Sequence, residues 1–321
     1  MAAERDLGLA QLVYSPAPIQ MRHTLSAFLL GSMLTACLAD DTSSIDQAAT
    51  GEEGLHGAPE HLFHGKDAHG GGGGGGGGSP LMTLHGGTVL TANKTEAIFW
   101  GPSWASYSGD KITGLDSFFS GFGGSIYAQA STEYSGTNGQ VTSSSTYLGH
   151  VIDTTPAPRR ALTTSGAVAE ACTITNNNPD PSALYLIYTE TGAGHVNYCA
   201  WHSWGTCSNG APIQVAYMPN IDGLAGCDPG DSFTGHSQGL SAVANVTAHE
   251  LSEAITDPRG TGWFDAGGEE NGDKCAWTWP ATDQSFGGQR WHVQGEWSNA
   301  AFNAGTGYPN LSGQLGCLPN N

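Results

Sequence analysis

Leu240, Val243, Ala244, Leu251, Ala254 and Ile255 recur at three- and four-residue spacing and predict a helix over residues 237–255. Ala242 and Val246 make a second face of that helix partly apolar, so it is expected to be buried on both sides. Asp257-Pro258 ends it, because proline disfavours helical geometry in the residue before it. Shorter apolar runs at residues 88–90, 96–100, 150–153, 183–189 and 213–218 predict strands, with a late one at 291–293. The run at 183–189 is apolar enough for a central place in a sheet. Helices are predicted at 112–122 and 125–134, although glycines weaken both. Helices between well-separated strands point to a single α/β (α+β) domain with a mixed sheet rather than to an all-β sandwich.

The apolar helix carries ionisable residues where burial is costly. His249 and Glu253 are four apart and share one helical face, so they can grip a single cation from the same side. Glu250 points about a quarter-turn away. In His-Glu-x-x-His zinc peptidases such a glutamate is the general base that takes a proton from water at the metal; here a glutamate replaces the second histidine. Desolvating an unpaired charge costs several kcal/mol, which makes a bound cation the expectation for a helix buried on both sides. The glycine-rich return after Pro258 carries Asp265, Glu269, Glu270 and Asp273. Glu270 is the expected third ligand, with Asp273 or Asp265 as substitutes. Zinc is the expected metal, and the two carboxylate ligands make calcium the alternative. By itself the His-Glu-x-x-Glu string is weak, since an exposed helix with solvated carboxylates reads the same way locally.

Two other constellations compete. Gly235-His-Ser-Gln-Gly239 matches the Gly-x-Ser-x-Gly nucleophile elbow, and Ser237, Asp265 and His292 stand in triad order. Residues 227–234 show no strand pattern before it, so Ser237 reads better as a helix N-cap. His202 reads as a histidine packed between Trp201 and Trp204 beside a disulfide, ahead of its reading as a metal ligand. Most tryptophans read as core rather than as a sugar-binding groove.

Several landmarks together resemble the phosphate-induced protein 1, or exordium-like, family: His249-Glu-Leu-Ser-Glu-Ala-Ile-Thr-Asp-Pro258, then Gly262-Trp263, then Glu270-Asn-Gly-Asp-Lys-Cys275. Gly86-Gly-Thr-Val-Leu90 leading to Ile98-Phe-Trp100, Phe118-Phe119 and Cys199-Ala-Trp-His-Ser203 add to it, so the resemblance covers most of residues 86–317. It implies a secreted, envelope-facing protein with a zincin-like helix, and carries His249, Glu250, Glu253, Glu270 and Asp273 over as matching positions. It implies no settled catalytic activity. The chain departs from the family pattern at Asn271 and in its many cysteines.

Upstream of the domain the pattern changes. Residues 1–20 lack signal character and read as an over-extended start, with Met21 as initiator. Residues 21–36 read as a lipoprotein signal peptide. Leu34-Thr-Ala-Cys37 resembles a bacterial lipobox, so Cys37 is expected to be the lipid-modified N-terminus of a membrane-anchored lipoprotein facing the periplasm or cell surface; an ordinary cleaved signal is the other reading. Residues 37–80 are acidic, then hold His56, His61, His64 and His69, and end in the tract Gly70 to Gly78. That composition predicts a flexible tether whose histidines read as low complexity ahead of metal capture, with the folded domain at 81–321.

Setting Cys37 aside leaves Cys172, Cys199, Cys207, Cys227, Cys275 and Cys317, an even set suited to disulfides in an oxidising compartment. Cys199 with Cys207 and Cys275 with Cys317 are the expected bridges. A net charge of -19 with 10 Lys+Arg argues against nucleic acid as a partner. The expected function is that of a cell-envelope metalloprotein, a metal-dependent peptidase with Glu250 as base acting on a peptide. The alternatives are a non-catalytic wall or polysaccharide-associated module with a structural cation, and a serine hydrolase through Ser237.

Overall fold

A computed structural model describes residues 56–66 and 79–320 of the 321-residue chain. The expected signal, Cys37 and the glycine tract lie outside the described residues. In chain order the main elements are β1 (His56–Gly57), β2 (His61–His64), β3 (Asn93–Trp100), helix α1 (Lys111–Phe122), β4 (Ser145–Asp153), helix α2 (Thr164–Ile174), β5 (Ala183–Thr189), β6 (Tyr198–Thr206), β7 (Pro212–Met218) and helix α3 (Gln238–Thr256). The strands form one 7-stranded mixed sheet. Its order is β6-β7-β5-β3-β4, with β1 and β2 both on the outer edge of β6. β4, β3, β5 and β7 run parallel, whereas β6 is antiparallel to β7.

The central strand explains the layering. Every residue of β5 is buried, as expected where a parallel strand is covered on both faces. Side chains alternate across a strand, so Leu184, Leu186 and Tyr188 join the core with α1 and α3, while Ala183, Tyr185 and Ile187 join the core with α2. The outcome is a mixed sheet with helices on both faces. Ser237 caps α3 by accepting a hydrogen bond from the Leu240 N–H at 3.0 Å. From Leu240 to Thr256 all of α3 is buried.

Several local expectations differ from the structure. Residues 88–90 form no strand; their backbone instead bonds to the segment around the end of α3, with Leu90 N donating to Ile255 O at 2.9 Å. Residues 125–134 break into one short helix and a tighter turn. β6 and α2 were not legible, because β6 mixes polar and aromatic residues and the alanines of α2 give little periodic contrast. Residues 56–66 fall in the stretch read as tether, yet β1 and β2 add antiparallel strands to β6. Phe63 supplies the physical reason, since its ring is fully buried against the core.

Three disulfides are present: Cys172–Cys207, Cys199–Cys227 and Cys275–Cys317. The last agrees with the sequence reading. The expected Cys199–Cys207 bridge is incorrect, because Cys199 lies in β6 and Cys207 just beyond its end. An extended strand rises about 3.3 Å per residue, which separates those two far beyond disulfide reach. The bridges fit an oxidising, exported environment. Among the described residues, no helix is long and apolar enough to cross a membrane.

Candidate metal centre

Three elements converge at one end of α3. The helix brings His249, Glu250 and Glu253, all 0–1% exposed. Directly above, β6 presents His202, also buried. The return from α3 brings Glu270 and Asp273, and it can approach closely because of Gly272: a Cβ there would lie 2.9 Å from Glu253 Oε1 and 3.0 Å from His249 Nδ1. Cys275 anchors that return through its bridge to Cys317. Gly262 closes the turn after α3, where a Cβ would stand 2.2 Å from Thr256 O; Asp257 Oδ1 accepts from Thr261 N at 2.8 Å and Gly262 N at 2.7 Å.

β2 supplies a seventh donor. In register with β6, His61 stands opposite His202, so both side chains share a face, with their rings stacked 4.8 Å apart. Phe63 stacks on the His249 ring at 3.7 Å and on Trp277 at 4.8 Å, and Trp277 Nε1 donates to His64 O at 2.9 Å.

The distances define the chemistry. His249 Nε2 lies 2.9 Å from Glu253 Oε1 and 3.6 Å from Asp273 Oδ1. His202 Nε2 lies 3.0 Å from Glu270 Oε2 and 3.5 Å from Glu253 Oε2. His61 Nδ1 lies 2.8 Å from Glu270 Oε2. Despite its short separation from Glu253, His249 Nε2 makes no aligned hydrogen bond. Three overlapping groups could hold an ion: His249-Glu253-Asp273, His202-Glu250-Glu253 and His61-His202-Glu270. Glu250 has both carboxylate oxygens buried without a partner, and Glu270 Oε1 is in the same condition.

Electrostatics follow from crowding in a buried space. Burial pushes Glu250 well above the usual carboxylate range, and the Glu253 charge adds to it. Asp273 is raised in the same way by burial, then by Glu253 and Glu270. Burial also opposes ionisation of Glu253, but the adjoining His249 and His202 outweigh it and hold that carboxyl far below its ordinary value. Desolvation disfavours the His202 cation, yet Glu270 and Glu253 reverse the balance and raise its pKa well above the ordinary value.

Sequence expectations for this centre divide. His249, Glu250, Glu253, Glu270 and Asp273 are brought together. Asp265 is not: it accepts from Lys274 Nζ at 2.6 Å and bonds back to its own loop. Glu269 remains largely exposed near the same lysine. His202, read first as a packed histidine, and His61, read as low complexity, both reach the cluster. Gln294 was not singled out at all, although its Nε2 lies 3.0 Å from His249 Nδ1 and donates to Gly272 O at 2.8 Å. No local motif marks it, since it comes from a distant loop held by Asn245 Oδ1, which accepts from Gln294 N at 2.9 Å. The triad residues go to separate partners: Ser237 Oγ donates to Asp110 at 2.6 Å and His292 pairs with Asp283 at 2.8 Å. Of the tryptophans, Trp291 and Trp297 are fully buried in the core, at 1% and 0% exposure.

Behind the return loop, Glu296 is buried beside Ser131 and Asn271, and burial pushes its pKa from 4.5 up to about 8. The folded state therefore keeps a proton that the unfolded state releases. Its stabilising contribution is complete below pH 4.5, falls by at most about 1.4 kcal/mol per pH unit as pH rises, and is gone above about 8. Glu296→Gln is expected to flatten this decline in urea midpoints measured from pH 5 to 9. An unchanged slope would contradict the assignment.

Searches against family models, curated proteins and solved structures find no match to the chain.

Proposed function

We propose that the protein is an exported metalloprotein whose centre binds a divalent cation through His249, Glu253 and Asp273 and uses it to hydrolyse an extended peptide. The observation that carries this reading is the convergence of His249 Nε2, Glu253 Oε1 and Asp273 Oδ1 without a hydrogen bond joining His249 to Glu253. Donors about 2.0–2.1 Å from a tetrahedral zinc stand about 3.3 Å apart, and the separations of 2.9 and 3.6 Å bracket that distance. A bound cation of this kind supplies Lewis acidity and lowers the pKa of water at its open position toward about 7.

The chain's own residues supply the remainder. Glu250, buried with both oxygens unpartnered and within ligand distance of His202 and Glu253, is the chain's candidate to accept and then return a proton. His249 presents Nε2 to the metal, which leaves its ring proton on Nδ1. Gln294 would then have to turn its amide so that Oε1 accepts a hydrogen bond from Nδ1–H, giving up its bond to Gly272 O and the one it accepts from Trp277 N. The substrate class is drawn from β2, an extended stretch of this same chain already lying antiparallel on the edge of β6 above the cluster.

A second reading is favoured by one observation: Asp273 and His61, at 23% and 28% side-chain exposure, are the donors that reach solvent, while the others are sealed. In that reading the cation only braces α3 against its return. Elemental analysis of the purified protein tests the shared premise. At least one equivalent of divalent metal is expected, with an equivalent lost in His249→Ala. Absence of metal, with no uptake from added zinc, would overturn both readings.

A further inference from the structure

We propose that the cluster is a two-cation centre in which the carboxylate of Glu253 bridges two divalent transition-metal ions, an inference that rests on reading the cluster as a metal centre. Six donor residues besides the base Glu250 converge, more than one tetrahedral ion can use. They separate by distance into two sets. His249, Asp273 and Glu253 Oε1 form one; His61, His202, Glu270 and Glu253 Oε2 form the other.

Glu253 is the hinge of the argument. Its Oε1 faces His249 Nε2 at 2.9 Å and its Oε2 faces His202 Nε2 at 3.5 Å. One carboxylate thus turns its two oxygens to two different imidazoles. Paired metals in hydrolytic centres stand about 3.5–4 Å apart, a spacing that a bridging carboxylate spans. In the second set the separations are 2.8, 3.0 and 3.5 Å, the 3.0 Å one being a His202–Glu270 hydrogen bond that a bound ion would replace.

Unpartnered buried atoms point the same way. Glu270 Oε1 and both oxygens of Glu250 have no hydrogen-bond partner, at residue exposures of 1% and 0%. Buried carboxylates without donors are costly unless a cation meets them. No ion pair among the described residues brings a lysine or arginine to Glu250, Glu253, Glu270 or Asp273. The three ligand carboxylates, Glu253, Glu270 and Asp273, carry three formal negative charges, more than one divalent ion neutralises.

The two positions are unequal. His61, His202, Glu270 and Glu253 give a closed set of four, the arrangement of a structural ion. His249, Asp273 and Glu253 give three and leave a position open, the arrangement of a catalytic one.

Full-length protein equilibrated with zinc and examined by native mass spectrometry and elemental analysis is expected to hold two equivalents. One equivalent would overturn the two-cation centre and leave the single-cation reading standing; none would sink both. In His61→Ala the second equivalent is expected to bind at least about tenfold more weakly while the first is unchanged, and two equivalents of unaltered affinity would remove His61 from the site. Manganese-loaded wild-type protein checks the bridge without any substitution. An exchange-coupled electron paramagnetic resonance signal is expected, and a purely isolated-ion spectrum would refute bridging by Glu253.

Discussion

Glu250→Gln is expected to lower peptide hydrolysis by roughly 10²–10⁴-fold, the range associated with loss of a general base, while the metal content stays at the wild-type level. Glutamine keeps the shape of the side chain and removes its ability to take a proton. Because Glu250 is fully buried and makes no hydrogen bond, the substitution breaks no contact that holds the fold. Turnover and metal content measured on the same preparation separate the two readings of the centre. Retained hydrolysis with retained metal would dismiss Glu250 as the base. A fully loaded wild-type protein that cleaves no peptide in a broad library would leave only the bracing role.

The second large effect concerns stability. Removing the metal with a chelator is expected to lower the unfolding midpoint by about 5–15 °C. A ligand present at 100 to 1,000 times its Kd stabilises by about 2.7–4.1 kcal/mol, and each kcal/mol shifts the midpoint of a domain this size by about 2–4 °C. The sign with pH follows from the ligands, which must shed protons to bind metal. Among them Asp273 holds its proton well above the usual carboxylate range, because burial and then the Glu253 and Glu270 charges oppose its ionisation. Metal-derived stability should therefore be full in mildly alkaline buffer and fade as pH falls, with protons released on loading. Differential scanning calorimetry with and without chelator at pH 5 and 8 measures this, and equal midpoints at both would show that no bound cation supports the fold.

How much of this was legible in the sequence depended on where each donor lies. His249, Glu250 and Glu253 sit within five residues on one helix, where spacing alone dictates which side chains share a face. Glu270 and Asp273 follow closely on a glycine-rich return, so their convergence was foreseeable, although Asp265 looked equally suitable until Lys274 was seen to hold it. His202 and His61 were not resolved, because their placement depends on strand pairing between segments far apart in sequence. His202 lies in a strand that residue composition did not reveal, and His61 belongs to a histidine-rich stretch whose composition suggested no structure. Disulfide pairing failed for a related reason. Cys199 and Cys207 are neighbours in sequence, yet extension of β6 holds them apart, and Cys172 comes from the end of α2 instead to meet Cys207.

β2 has a consequence for measurement. It is covalently part of the chain whose β6 edge it occupies, so it meets that edge at an effective concentration on the order of millimolar, the scale set by an intramolecular connection. An added peptide must therefore compete with a resident strand that also inserts His61 and Phe63 into the centre. The KM observed with full-length protein then reports exchange against β2 as well as intrinsic affinity, and each exchange also withdraws His61 from Glu270.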